Sequence, residues 1–290
     1  MTDYVLNINK PEGFTSHDVV AKLRGILKTR RIGHCGTLDP MATGVLPICV
    51  GKATKASDFI MGFDKEYIAS VRFGFTSDTQ DITGEVRKTG ASLPSRSEVE
   101  AALLKFTGEL LQTPPMYSAI KIGGQKLYTL ARRGIEVERK TRAVTIKYID
   151  ILSAHEEKGE YILKIGCSKG TYIRTLCHDI GEYIGAGALI FALERTRTGK
   201  FTLERSVTLD DVEAGDYLKG AYALSEIFSD YPAVFADEAC ARLIKNGVRL
   251  SAERLSACEG ETYAVYEQNN ELICISHVED GILKMIRGFY

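Results

Sequence analysis

Between Arg30 and Gly51 the chain reads RRIGHCGTLDPMATGVLPICVG, with glycine at 33, 36, 44 and 51 and proline at 40 and 47. A helix cannot run through such a segment, because proline lacks the amide donor and glycine loses the most conformational freedom on ordering. Any fold must bend here and hold Asp39, which precedes Pro40, in an extended or turn conformation. Read alone, an aspartate before proline in a glycine-rich loop is an ordinary turn residue. The same restriction also holds a carboxylate at a fixed angle.

The flanking patterns are regular. A short strand ends at Pro11, and Ser16 is placed as the N-cap of a helix with Val19, Val20, Leu23, Ile26 and Leu27 on one face. Residues 65–73 alternate as a strand, and Ser97 with Glu100 forms an expected capping box before a further helix. Strands are expected at 143–152 and 160–168, a helix after Gly170, and a third stretch over Ala188–Leu193. Residues 112–142 have weak periodicity and read as a long excursion from the core. Beyond Tyr231-Pro232, a helix over Glu238–Lys245 and the strands TYAVYE and ELICIS predict a small β-rich module.

Several classes of protein are excluded or disfavoured. No apolar run nears the roughly 18 residues of a membrane span, and the opening MTDYVLNINK lacks a signal-peptide pattern, so a cytoplasmic, membrane-free protein is expected. Seven cysteines without a CxxC read as free thiols. Gly51-Lys52-Ala53 fails as a phosphate loop, DTQDITGE (Asp78–Glu85) fails as a calcium loop, and there is no HExxH or GxSxG. No cofactor and no metal are expected.

The net charge of −1 conceals an uneven distribution. Residues 19–31 carry five basic side chains and no acid, and residues 121–147 carry eight basic against two acidic. The acids collect in residues 201–240. Local basic patches on a neutral body suit contact with phosphates, although each could equally be a solvated helix face.

The segment GHCGTLDPMATGVLPICVGKATK resembles the signature loop of the bacterial TruB family of tRNA pseudouridine synthases, in which the aspartate of G-T-L-D-P is catalytic. KPEGFTS (Lys10–Ser16), KEY (Lys65–Tyr67), QTPPMYSAIKIGGQKLYTLARRG (Gln112–Gly134), GTYIRTL (Gly170–Leu176) and ALERTRTG (Ala192–Gly199) resemble further motifs of that family in the same order. One departure is Cys35, where many members carry threonine.

The resemblance implies an α+β fold with a mixed, mainly antiparallel central sheet. It implies a catalytic domain over 1–230, an RNA-gripping insertion at about 112–142, and a PUA-like RNA-binding domain over 233–290. The implied reaction isomerises the T-loop uridine at tRNA position 55 to pseudouridine by base flipping. Asp39 would be the catalytic residue, paired with Arg174, and Tyr67 would stack on the flipped uracil. Tyr172 and Leu193 would wall the pocket, His34 would fill the space the base vacates, and Lys10 would contact RNA or buttress the pocket. Arg132, Arg133, Arg139, Lys140 and Arg142 would grip RNA backbone. The implied partner is tRNA, through its T-arm and possibly its acceptor stem, with no guide RNA and a monomeric chain. A tRNA-folding chaperone without catalysis is the alternative, while a guide-RNA-dependent relative and a small-molecule enzyme fit the motifs less well.

Overall fold

The computed structural model describes residues 3–290. Strands buried on both faces read as continuous apolar runs, and VLPICV is one of them. It lies in a ten-stranded sheet ordered Ala221–Tyr222, Tyr4–Lys10, Thr43–Val50, Ala188–Thr198, Lys65–Phe73, Glu160–Cys167, Arg142–His155 and Gly108–Gln112, with Ile32–His34 and Phe201–Thr202 attached beside this path. Among the described residues these neighbours pair antiparallel, except Thr43–Val50 against Ala188–Thr198. The class is α+β with a mixed sheet, as expected.

Strand alternation divides the interior in two. Leu6, Ile8, Leu46, Ile48, Tyr67 and Ala69 face the helices Ser16–Ile26, Arg96–Lys105 and Ile173–Ile184. Val5, Val45 and Cys49 point the other way, into a second core with Ile60, Phe201 and Phe228. The chain beyond 231 forms a separate five-stranded sheet with the helix Glu238–Lys245 and its own apolar cluster. It is nonetheless docked: Ala264, Tyr266, Leu272, Ile275 and Phe289 complete the second core, and Phe289 meets Phe228 at 5.4 Å between ring centroids.

Two helix starts differ from the sequence reading. Thr15, not Ser16, caps the first helix, in a reciprocal capping box with Asp18. Ser95 with Glu98, not Ser97 with Glu100, caps Arg96–Lys105, and that phase buries Val99, Ala102 and Leu103. No helix among the described residues is long and apolar enough to cross a membrane.

Candidate active site

The glycine-rich segment is a hairpin. Ile32–His34 pairs with Thr43–Val50, and Asp39 sits in the connection between them. KPEGFTS packs around that connection. The Ser16 hydroxyl accepts from the Leu38 amide at 2.9 Å, and the Gly13 amide donates to the Pro40 carbonyl at 2.8 Å. Lys10, expected to contact RNA or buttress the pocket, is wholly buried. Its Nζ donates to the carbonyls of Pro11, Phe14 and Pro40, so of its two anticipated uses only the buttress fits. Burial lowers its ammonium to about 8.

Arg174 enters from the first turn of Ile173–Ile184. Its Nε donates to Asp39 Oδ2 at 2.8 Å, its Nη1 to the Thr79 carbonyl at 2.7 Å, and its Nη2 to the Tyr117 carbonyl at 2.9 Å. A second carboxylate, Asp81, lies 3.4 Å from Nη1 and is almost wholly buried. Asp81 in turn accepts from the Thr79 hydroxyl and from the amide and hydroxyl of Thr83. Sequence reasoning missed this cradle. The spacing of the segment DTQDITGE gives no hint of an arginine partner.

Thr37, Leu38, Asp39, Tyr67, Ser118, Ala119, Tyr172, Arg174 and Leu193 line a cavity of about 150 Å³ together with Thr171 and Ile173. Five expected residues therefore meet: Asp39, Tyr67, Tyr172, Arg174 and Leu193. Burial raises the Tyr67 phenol above its usual range, so it stands here as a neutral hydroxyl. His34 is not among the lining residues. Its Nδ1 donates to the Gly36 carbonyl at 2.9 Å, and burial lowers its pKa. Cys35 sets its thiol 3.0 Å from that of Cys49 in the second core, away from the carboxylate.

The excursion at 112–142 folds over this cavity. It contains the small hairpin Lys121–Ile122 with Gln125–Lys126 and the short helix Leu127–Ala131. Arg132, Arg133 and Lys140 are exposed on it. Arg139 and Arg142, also expected to grip RNA, are half-buried and bonded within the chain. Arg139 donates to the Pro114 carbonyl and pairs with Glu136. Arg142 lies over the Tyr172 ring at 4.7 Å and donates to the Gly170 carbonyl. Both ends of the excursion thus hold Tyr172, because Gln112 also bonds its backbone amide and carbonyl.

A mixed sheet with a buried arginine on a loop carboxylate beside a tyrosine has the architecture of the pseudouridine synthases. Over 99% of this chain and 85% of the other, the fold is similar to a chain of the crystal structure of a Cbf5–Nop10–Gar1 complex, with TM-score 0.77 and 25% identity. Residues 24–173 match the TruB family pseudouridylate synthase N-terminal domain, and residues 174–227 match the tRNA pseudouridylate synthase B C-terminal domain. The tRNA pseudouridine synthase B of Clostridium kluyveri is 42% identical over 99% of both chains, and that of Clostridium tetani 47% identical over 87% of this chain and 86% of its own. This chain belongs to the TruB family.

Proposed function

We propose that this chain isomerises the T-loop uridine at tRNA position 55 to pseudouridine, acting on tRNA directly without a guide RNA. The N1–C1′ bond breaks, the uracil turns, and C5 bonds to C1′, while the proton on C5 is released and N1 gains one. No redox change is involved. The carrying observation is the Asp39–Arg174 contact at 2.8 Å inside a cavity shared with Tyr67, Tyr172 and Leu193. A base paired or stacked in folded RNA must be extruded to reach that depth.

The roles are those the resemblance implies for these residues. Asp39 acts on the sugar–base bond as nucleophile or electrostatic partner. Arg174 orients it, with Asp81 and two carbonyls holding the guanidinium in place. Tyr67 stacks on the uracil, Tyr172 and Leu193 bound it, and His34 fills the place the base leaves. The exposed Arg132, Arg133 and Lys140 contact backbone without reading sequence. The catalytic unit spans 1–230, and the sheet at 233–290 serves as a PUA-like RNA-binding domain. The test is pseudouridine mapping in a T-arm transcript incubated with pure protein in EDTA and nothing else. Conversion of the single T-loop uridine supports the reading, and a requirement for a guide RNA or a catalytic metal overturns it.

A further inference from the structure

The strand Ala188–Thr198 carries Leu193 to the cavity and, two residues on, Arg195 on the same face. Arg195 is 1% exposed, and its guanidinium has no carboxylate partner among the described residues. Its Nε donates to the Val45 carbonyl at 2.7 Å and its Nη1 to the Thr37 carbonyl at 3.4 Å. Its Nη2 is buried with no hydrogen-bond partner among the described residues. Thr37 and Val45 stand on either side of Asp39, where the chain enters and leaves the loop. In the ladder Arg195 lies directly opposite Tyr67. Two glycines make room for this arrangement. At Gly44, with φ +97°, a Cβ would lie 2.3 Å from the Arg195 carbonyl oxygen, and at Gly36 it would touch Nη1 at 3.6 Å.

A buried guanidinium without a carboxylate is costly, and a neutral side chain of similar length would fill the same space. What the charged fork adds, beyond the backbone pairing of Arg195 with Gly44, is a side-chain joint from this strand to both ends of the Asp39 loop. We propose that Arg195 is a positioning residue for the reaction: it holds the loop of Asp39 and the strands of Tyr67 and Leu193 as one rigid unit. Arg174 fixes the carboxylate from the helix side, and Arg195 fixes its backbone from the sheet side. Its charge also stands beside the Tyr67 hydroxyl, where it opposes the effect of burial on that phenol.

This inference rests on the pseudouridine-forming reading, so the assay carries two controls: wild type must form pseudouridine and Asp39→Asn must not. If either control fails, that reading fails whatever Arg195 does. With the controls in place, Arg195→Lys and Arg195→Met are compared by thermal melting, tRNA Kd and single-turnover rate at saturating tRNA. Lysine keeps the charge but cannot span both carbonyls, and methionine keeps only the bulk. The expected result is tRNA affinity within about twofold of wild type, a rate loss of about a hundredfold for methionine, and a smaller loss for lysine. A wild-type rate in a folded methionine variant overturns the proposal. So does a rate loss matched by an equal loss of affinity, which would mark general loosening. Failure of both variants to fold also overturns it, since the residue would then serve folding alone.

Discussion

Replacing Asp39 with asparagine exchanges one carboxylate oxygen for an amide and removes the charge. The structural cost is small. The Asp39 side chain is 35% exposed, and after the change Arg174 keeps Asp81 and the carbonyls of Thr79 and Tyr117. A hydrogen bond to a charged group contributes about 1.5–3 kcal/mol. Solvent screening at the exposed end reduces this to about 1 kcal/mol. Against a typical stability of about 5–15 kcal/mol, the variant stays folded, with Tm lowered by about 2–4 °C. Asparagine supplies neither charge nor nucleophile, so the turnover loss should be on the order of 10⁴-fold or more, the scale reached when a member of a catalytic set is removed. The assay is release of tritium from C5-labelled uridine in tRNA, with tRNA Kd measured on the same preparation. Affinity near wild type with no detectable product is the expected outcome. A wild-type rate in folded Asp39→Asn would refute the assignment of chemistry to this carboxylate.

Asp81→Asn should cost more stability than Asp39→Asn, about 2–3 kcal/mol, because Arg174 then keeps one partly exposed carboxylate. Its turnover should fall without vanishing, and urea denaturation with the tritium assay would expose an equal or smaller cost as an error. Neutralising Arg132, Arg133 and Lys140 together should weaken tRNA binding and flatten the slope of log Kd against log salt by about 2, while turnover on saturating tRNA changes less. Unchanged affinity at low salt would make the segment a solvated face only. Lys10 has its pKa lowered from 10.5 to about 8, so between those values the unfolded chain holds a proton that the folded chain has released. Stability contributed by this group therefore rises with pH across that window. Wild type should gain on Lys10→Met from about pH 8 to 10.5 in urea denaturation, and a constant difference would contradict the burial of a charged lysine.

Elements with a strong period were legible in the sequence. The alternation at 65–73 and the apolar stripe from Ile173 to Ile184 needed only counting, and both formed as read. The strand Thr43–Val50 is masked in the sequence by Pro47, which counts as a breaker, whereas here its carbonyl pairs with the Cys35 amide across the hairpin. The two displaced caps arose because neighbouring polar residues offer two capping frames, and burial of the next turn decides between them. At the site, Asp39, Tyr67, Tyr172, Arg174 and Leu193 were found through motif resemblance. Asp81, Arg195 and the contacts of Arg139 with Pro114 and of Arg142 with Tyr172 were not, since each depends on a contact between distant segments. Lys10 shows the same limit: a charged residue in a motif suggests a ligand, and only packing reveals that it closes a loop.

The second core joins Cys35 and Val45, on either side of Asp39, to Tyr266, Leu272 and Phe289 of the C-terminal sheet. The underside of the reactive loop thus belongs to a core that residues more than two hundred positions away complete. Cutting after residue 230 would strip Phe289 from Phe228 and leave that ring against water. Loosening of the C-terminal sheet is thereby felt, through a shared core, on the far side of the strand that leaves Asp39.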